Sequence, residues 1–182
     1  MNDLEYSTRR IFRSNFTSKQ VVRELLQSIF LAELMAPESD FWLVSPWISD
    51  VELLDNRRGS FSAINPEWGR RPIRLSEVLV HLLTTGTLVR IVTKPDLHNQ
   101  TFIDRMRERA QEAGVEDGLT IIQHNELHTK GILTSWGLLT GSMNLTYNGV
   151  EINDEHVSYE TDIHARSGAK LTFKAYLDLE AK

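Results

Sequence analysis

The most chemically distinctive stretch of the sequence is the segment LHTKGILTSWGLLTGSMNLT, residues 127–146. His128 and Lys130 lie two residues apart in an apolar run that we predict to be a strand, so both side chains project from the same face. A cation on a buried strand is costly unless an anion compensates it, and phosphate is the natural anion for this pair. The spacing therefore predicts a phosphate site.

Small and polar residues follow the second apolar run of this segment, residues 136–140, which we predict to pair with the first run as a hairpin. Gly141, Ser142 and Asn144 stand where the returning strand ends. A small residue lets the backbone approach an anion closely, and the two side chains supply hydrogen-bond donors. We expect these residues to bind the same phosphate as the histidine and lysine.

The succession of H-x-K, a hairpin and G-S-x-N resembles the signature of the phospholipase D superfamily, whose full form is H-x-K-x4-D-x6-G-S-x-N. The chain departs from it at the aspartate, because Ser135 stands there, and the spacer from Ser135 to the glycine is one residue short. The resemblance extends over residues 41–163 and is specific only within the motif. The matching positions are His128, Lys130, Gly141, Ser142 and Asn144.

The resemblance implies a two-step displacement at phosphorus. One histidine attacks to give a phosphohistidine, a second histidine protonates the leaving oxygen, and water or an alcohol resolves the intermediate. The chain has one motif, so the second histidine must come from another copy, which predicts a homodimer with both copies of His128 around one phosphate. No metal and no cofactor is expected, and a coupled histidine pair predicts a bell-shaped pH profile.

The same resemblance implies roles for the remaining residues of the site. Lys130, Ser142 and Asn144 are expected to hold the non-bridging oxygens and to stabilise the charge of the transition state. Glu155 lies where relatives carry an acidic residue that binds the catalytic histidine. We therefore expect Glu155 to orient and polarise His128.

Two upstream segments are candidates for substrate binding. Residues 43–48 resemble the strand after which superfamily chains leave the sheet beside the active site, so Ser45 is expected near the phosphate and Trp47 is a candidate to stack on a base. Residues 50–74 are predicted to form a long loop, whose arginines, including Arg57 and Arg58, could form a phosphate-binding rim. An ordinary solvated loop with balanced charges explains the same composition.

Each of these residues also has a purely structural explanation. A histidine on a strand is more often structural than nucleophilic, and a lysine can simply extend to solvent. Serine and asparagine are common in ordinary turns, and a glutamate such as Glu155 is common on an exposed strand. His124, Glu126 and His128 alternate as metal ligands on one strand face would, although Lys130 would oppose a cation there. We favour the phosphate site because the residues occur in combination.

Hydrophobic periodicity predicts the elements that must position this motif. Helices are predicted from a cap at Ser18 to Pro37, from a cap at Ser76 to Gly86, and at residues 100–113 and 168–179. Strands are predicted at residues 41–45, 88–92, 119–123, 127–133, 136–140 and 157–163. This alternation predicts an α/β, phospholipase D-like fold with a mixed, mostly parallel sheet flanked by helices on both faces.

Composition places the chain among ordinary globular proteins. Its 182 residues are 41% hydrophobic and include no cysteine, which excludes disulfides, thiolate nucleophiles and cysteine-ligated zinc. The formal net charge of −5 argues against a surface that coats nucleic acid, so any polyanion contact must be local. No apolar run reaches the ~20 residues of a membrane-spanning helix, and the N-terminus does not resemble a secretory signal. We expect one cytoplasmic domain over residues 1–182, without membrane contact.

Together these features favour a metal-independent phosphodiesterase. Short, single-motif members of the superfamily resemble bacterial nucleases of phage-defence or DNA-modification systems, so we expect a homodimeric DNA endonuclease, with partner proteins in a larger complex. Two alternatives stay open. One is a phospholipid-processing enzyme, although the sequence has no amphipathic basic helix. The other is a catalytically weak dimeric module that binds nucleic acid or a partner protein.

Overall fold

The fold is that of a computed structural model, which describes residues 7–13 and 20–180. The strands are β1 (Thr8–Arg13), β2 (Asp40–Val44), β3 (Glu52–Asp55), β4 (Pro72–Arg74), β5 (Leu88–Thr93), β6 (Leu119–Gln123), β7 (Gly131–Leu133), β8 (Leu138–Gly141) and β9 (Glu155–Glu160). The helices are α1 (Gln20–Met35), α2 (Leu75–Thr84), α3 (Leu97–Glu112), α4 (Ile163–Lys174) and α5 (Leu177–Glu180). A π-helical turn occupies Asn148–Ile152, and 3₁₀ turns occupy Pro66–Trp68 and Glu116–Gly118.

In the described ranges, seven of these strands form one mixed sheet in the order β1-β9-β8-β7-β2-β5-β6. The β2–β5 and β5–β6 pairs are parallel, as the strand–helix alternation of that region predicts. The other four pairs are antiparallel, so the predicted mixed sheet is confirmed but its emphasis on parallel strands is wrong. The β7–β8 pair is antiparallel because only residues 134–137 join the two strands, and so short a connection cannot cross over a face of the sheet as a helix does.

Helices cover both faces of the sheet, as predicted. Phe41 and Leu43 of β2 point into a core formed with α1, α2 and α3. Trp42 and Val44 point to the opposite face, where they pack near Phe173 of α4. The near-complete burial of β2 explains its continuous apolar sequence, because a strand covered on both faces needs no polar side.

Most predicted helices are confirmed, with different ends. Helix α1 stops just before Pro37, whereas the predicted cap at Ser18 lies outside the described residues. Helix α3 begins earlier than predicted, because the Asp96 carboxylate accepts a hydrogen bond from the His98 amide (2.8 Å). The predicted cap at Ser76 is wrong: α2 begins at Leu75, and the Ser76 hydroxyl donates to Asp50 (3.0 Å) from the first turn.

The predicted long loop at residues 50–74 contains regular structure. Strands β3 and β4 pair antiparallel across it. A 3₁₀ turn lies between them, where the Asn65 side chain accepts a hydrogen bond from the Glu67 amide (2.9 Å). Strands of three or four residues leave almost no periodic signal in a sequence, which is why the prediction missed them.

The predicted hairpin exists, but its first strand is shorter than predicted. Strand β7 begins at Gly131, so His128 and Lys130 precede the sheet instead of lying within it. The cause is the neighbouring strand: Gly131 pairs with Val44, the last residue of β2. Beyond Val44 the chain turns away through Pro46, and residues 128–130 have no strand beside them to pair with.

The C-terminal part also differs in detail from the prediction. Strand β9 ends at Glu160, and Ile163 begins α4, so the predicted strand at residues 157–163 starts and ends too late. Two helices replace the predicted closing helix. Phe173 of the first helix is buried, whereas Leu171 is 74% exposed. Among the described residues, no helix combines the length and apolar character that crossing a bilayer requires.

Candidate active site

The motif residues converge at one edge of the sheet, where β2 ends, β7 begins and β8 ends. Gly131 pairs with both Val44 and Thr140, so the chain enters and leaves this hairpin beside the end of β2. A small cavity of about 20 Å³ lies among these strand ends and is lined by Ser45, Lys130 and Gly141 together with apolar residues. The topology therefore brings both halves of the motif to one place.

His128 and Lys130 lie in an irregular segment at this edge. The Lys130 ammonium donates to the backbone carbonyl of His128 (2.8 Å), which folds the half-buried lysine back over the histidine. The His128 side chain is exposed, and its ring makes no hydrogen bond with any residue in the described ranges. The imidazole therefore has both ring nitrogens available to a ligand.

Thr129, the residue between this pair, has a partner that the sequence did not indicate. The Tyr176 hydroxyl lies 3.2 Å from Thr129 Oγ1, and the Tyr176 ring packs edge-on against His124, with ring centroids 5.8 Å apart. Tyr176 follows α4, which covers this face of the sheet. The C-terminal segment therefore holds the H-x-K segment in place.

Ser142 and Glu155 form a direct pair. The Ser142 hydroxyl donates to a Glu155 carboxylate oxygen at 2.5 Å and accepts from the backbone amide of His156 at 3.0 Å. The expectation that Glu155 binds His128 is therefore corrected: the carboxylate is used by Ser142. The reason is register, because β8 and β9 run side by side and bring the start of β9 next to the residue that follows Gly141.

Ser45 and Asn144 connect the end of β2 to the second half of the motif. The Ser45 hydroxyl donates to the Trp47 carbonyl (2.8 Å), accepts from the Leu145 amide (3.2 Å) and lies 3.4 Å from Asn144 Oδ1. Ser45 is only 2% exposed. It therefore ties the end of β2 to the backbone of Leu145, the residue that follows Asn144.

Gly141 is required by the backbone at this position. Its φ of 150° lies outside the range that side chains favour, and a Cβ there would collide with the His156 carbonyl oxygen. The close approach is part of the β8–β9 pairing that also places Ser142 beside Glu155. The glycine of the motif thus allows the pairing that positions its serine.

Comparison with known proteins agrees with this geometry. No family model and no curated protein matches the sequence. Among solved structures, the phospholipase D family member Nuc from Salmonella typhimurium superposes with a TM-score of 0.57 at 12% identity, over 94% of this chain and 92% of Nuc. NucT from Helicobacter pylori gives 0.58 at 11% identity, over 94% of this chain and 96% of NucT. The chain has the phospholipase D fold.

A larger protein shares this fold. Phosphatidylserine synthase from Haemophilus influenzae Rd KW20 superposes with a TM-score of 0.62 at 13% identity. The match covers 93% of this chain but only 38% of the synthase. The phospholipase D fold of this chain therefore corresponds to one part of the synthase and to nearly the whole of Nuc and NucT.

Ser135, which stands where the phospholipase D signature has an aspartate, binds a carboxylate from another element. Ser135 donates to the two carboxylate oxygens of Glu33 through its amide and its hydroxyl, both at 2.9 Å, and its carbonyl accepts from Arg166. Glu33 is fully buried, and burial raises its pKa. Its position in the sequence was a usable signal, because Glu33 interrupts the apolar face that α1 presents at Ile29 and Phe30.

Trp47 lies at the same edge of the phospholipase D sheet but is partly engaged. Its side chain is 40% exposed. The Lys94 ammonium lies 5.7 Å from the centre of its ring, and its indole nitrogen is 3.4 Å from Asp96. One face of the ring is thus shared with a cation that could also approach a phosphate.

The structure does not bring the predicted arginine rim to the motif. Arg57 binds Asp55 (3.1 Å) beside β3, and both Arg57 and Arg58 are exposed. In residues 7–13 and 20–180, neither makes a hydrogen bond or ion pair with a motif residue. These interactions fit the alternative of a solvated loop with balanced charges.

The alternative metal site has no support in the arrangement of side chains. Within the described part of the chain, no three histidine, aspartate or glutamate side chains are grouped closely enough to hold an ion. His124 instead packs edge-on against the Tyr176 ring. The residues that converge on this edge are instead those suited to phosphate.

Proposed function

We propose that this chain is a metal-independent phosphodiesterase that cleaves DNA through a phosphohistidine intermediate, at a site completed by a second copy. One observation carries the proposal: the H-x-K and G-S-x-N residues converge at one edge of a phospholipase D-fold sheet. At that edge the Lys130 ammonium donates to the backbone carbonyl of His128, whose side chain is exposed.

The proposed chemistry needs two histidines in different protonation states. Neutral His128 attacks phosphorus, a P–N bond forms, the P–O bond to the leaving group breaks, and the leaving oxygen takes a proton from the second, protonated His128. Water then attacks phosphorus and gives its proton to that second histidine while the P–N bond breaks. The net reaction is hydrolysis of one phosphodiester bond.

Lys130 and Asn144 are the groups best placed to hold the phosphate oxygens. The Lys130 ammonium already lies beside the His128 backbone, and Ser45 holds the backbone next to Asn144 through the Leu145 amide, so that the Asn144 side-chain nitrogen can donate. The Ser142 hydroxyl donates its hydrogen bond to Glu155, so Ser142 contributes by fixing the local backbone. Charge on the phosphate is thus met mainly by the two lysines of the dimer.

The need for a second copy follows from the sequence, which has H-x-K only at residues 128–130. Two equivalent histidines around one phosphate require a two-fold axis through the site. The exposed position of His128 is compatible with such an arrangement.

DNA is the proposed substrate by analogy with single-motif nucleases of the superfamily, since H-x-K occurs once in this sequence. Its fold matches Nuc and NucT over more than nine-tenths of their length, whereas it matches little over a third of the synthase. The proposal includes a cytoplasmic setting and a phage-defence or DNA-modification complex, in which partners bring a chain of net charge −5 to DNA.

Cleavage of plasmid and single-stranded DNA in EDTA tests this proposal. Wild type should cut, and His128→Ala should lose at least about 10³-fold in rate, because both chemical steps use the histidine. His164→Ala is the matched control, since His164 is exposed on α4 away from the motif. Activity that requires a divalent metal, or that survives in His128→Ala, would refute the mechanism.

The same proteins test the phospholipid alternative, which the resemblance to a phosphatidylserine synthase favours. Vesicles containing phosphatidylserine or phosphatidylglycerol should release no headgroup if DNA is the substrate. Release that depends on His128, without DNA cleavage, would identify a lipid enzyme. DNA binding that is equal in wild type and His128→Ala, without cleavage by either, would identify a binding module.

A further inference from the structure

A deep cleft lies next to the motif, on the side of Asn144. Its volume is about 520 Å³, which is in the range of small-molecule sites. Its floor is apolar and consists of Ile48, Val51 and Phe102, all of which are buried. Pro46 and Trp47 separate this floor from Ser45 at the end of β2.

The cleft is connected to the motif through backbone contacts. Ile48 forms a parallel bridge with Leu145, and the Ser49 amide donates to the Leu145 carbonyl (2.9 Å). Tyr147, on the cleft wall, follows Asn144 by three residues, a span of at most about 11 Å. A ligand whose phosphate binds at Asn144 can therefore extend its next group into the cleft.

The charges around the cleft balance, because three arginines and three carboxylates line it: Arg23, Arg74, Arg105, Asp50, Glu52 and Glu151. Arg23 of α1 binds Glu151 of the π-helical turn (3.0 Å), and Arg105 of α3 binds the poorly exposed Asp50 carboxylate (2.6 Å). Arg74 donates to the Asp50 carbonyl (2.8 Å). A wall of compensated charges provides little attraction for a second phosphate. The cleft is better suited to an uncharged group that is partly apolar.

The exposed polar and aromatic groups on the walls indicate what kind of group this is. Tyr147 is 62% exposed, so its ring is available for stacking. Ser49 and His98, which also line the cleft, form a hydrogen-bonded pair at 3.0 Å. Each can donate a hydrogen bond to a ligand or accept one from it. A flat heterocycle on a sugar has the matching chemistry: an aromatic face, polar edges and no charge.

We infer that this cleft binds the nucleoside next to the scissile phosphate, with its base stacked on Tyr147. The inference rests on the proposed function and specifies its substrate: a single-stranded or locally opened nucleic acid, because a base paired within a duplex cannot enter a pocket. The site then recognises the phosphate through the motif and the adjoining base through the cleft.

Binding measurements test the inference without requiring catalysis. A short single-stranded oligodeoxynucleotide containing 2-aminopurine is titrated into the His128→Ala protein in EDTA, and its fluorescence and anisotropy are recorded. Stacking on Tyr147 should quench the 2-aminopurine. Adding Tyr147→Ala should abolish the quenching and weaken binding about tenfold, whereas Tyr147→Phe should retain both. Trp136→Ala, which alters an exposed aromatic at the far hairpin turn, is the control and should bind normally.

A fully abasic oligonucleotide of the same length separates base recognition from phosphate recognition. It should bind about tenfold more weakly than the normal oligonucleotide, and Tyr147→Ala should cause no additional loss. Equal binding of normal and abasic strands, or equal binding by the parent and Tyr147→Ala, overturns the cleft assignment.

Failure of the cleft assignment and failure of the proposed function give different results. DNA that binds through Tyr147 but is not cut by wild type in EDTA overturns the proposed reaction and supports the cleft. If wild type cuts DNA and His128→Ala does not, but DNA binding does not depend on Tyr147, the proposed reaction is supported and the cleft assignment is overturned.

Discussion

At the scale of single residues, the structure assigns partners that the motif alone does not specify. Glu155 contacts Ser142 at 2.5 Å, and the His128 ring has no hydrogen-bond partner among the described residues. A hydrogen bond to a charged group contributes about 1.5–3 kcal/mol, so this contact is a substantial part of the local energetics. Glu155 therefore acts on the second half of the motif and reaches the histidine only indirectly.

Glu155→Ala and Ser142→Ala should each lower kcat about 10- to 100-fold, because either change releases the same hydrogen bond. Their effects should not add: the double variant should be about as slow as the slower single variant. Steady-state kinetics of the four proteins measure this coupling. Additive losses, together with a displaced acidic limb of the pH–rate profile in Glu155→Ala, would indicate direct action on His128.

Gly141→Ala should destabilise the protein by at least about 2 kcal/mol, because the added Cβ meets the His156 carbonyl and the backbone conformation disfavours side chains. Gly168→Ala is the matched control. No atom lies within 4 Å of a Cβ at Gly168, which is inside α4, so alanine should stabilise by about 0.5–1 kcal/mol. Urea denaturation gives both values, and equal effects would contradict the steric explanation.

At the scale of secondary-structure elements, the success of the sequence prediction follows from how far each element depends on its partners. Strand β6 was predicted with the correct ends and β2 to within one residue. Both are short, mainly apolar runs next to predicted helices, and such runs have a strong signal of their own. Strands β3 and β4 were missed because they stabilise each other across sixteen intervening residues. The extent of β7 depends on where β2 ends, which its own sequence does not encode.

The candidate site was predictable in its residues but not in its contacts. The spacing of the motif predicts that His128, Lys130, Ser142 and Asn144 share one site, and the strand pairing brings the start of β7 beside the end of β8. The contact of Tyr176 with Thr129 could not be predicted, because it depends on how α4 and the residues after it cross the sheet. The position of Tyr147 could not be predicted either, because it lines a cleft that only the folded chain forms.

Tyr176→Phe should slow cleavage about 3- to 10-fold, because one hydrogen bond to the H-x-K segment is lost while the ring remains packed against His124. The loss should fall on kcat, with KM and the melting temperature nearly unchanged. Thr129→Val should have a similar effect, and the two changes should not add. An unchanged kcat would show that this contact does not position the reacting histidine.

The contact between α1 and the hairpin turn predicts a pH effect on stability. Burial raises the pKa of Glu33 above 4.5, so the folded state holds the proton more tightly than the unfolded state. Charged Glu33 therefore destabilises the fold at neutral pH, and the penalty fades as the pH falls through the raised pKa toward 4.5. Relative to Glu33→Gln, wild type should gain stability over that interval. Urea denaturation at several pH values measures the difference in free energy of unfolding between the two proteins, in which the contributions of the other carboxyl groups cancel. A difference that does not change with pH would contradict this prediction.

At the scale of the whole molecule, one chain provides only half of the proposed reaction. The sequence contains one H-x-K segment, and the structure leaves its histidine at an exposed edge. Arg57, one of the predicted rim arginines, is paired with Asp55 beside β3. The proposed reaction therefore requires a second histidine, which we propose comes from another copy of the chain.

Mixing wild type with an equal amount of His128→Ala, under conditions that exchange subunits, should reduce activity to about one quarter of the value for undiluted wild type. Only dimers with two intact histidines would remain active, and random pairing of equal amounts makes such dimers about one quarter of all dimers. Light scattering after size exclusion should show dimers in every sample. A mixture with His164→Ala should keep full activity. Activity that falls only to one half would mean that each chain works alone.

The hairpin turn at Ser135 has a consequence for how such proteins are recognised. The superfamily signature has an aspartate at this point of the sequence, whereas here Glu33, 102 positions earlier, places its carboxylate against the turn. A search pattern that insists on a linear run of letters would discard this chain for lacking a chemical group that it has. Descriptors built from three-dimensional neighbours, asking for any carboxylate against that turn, would retain it.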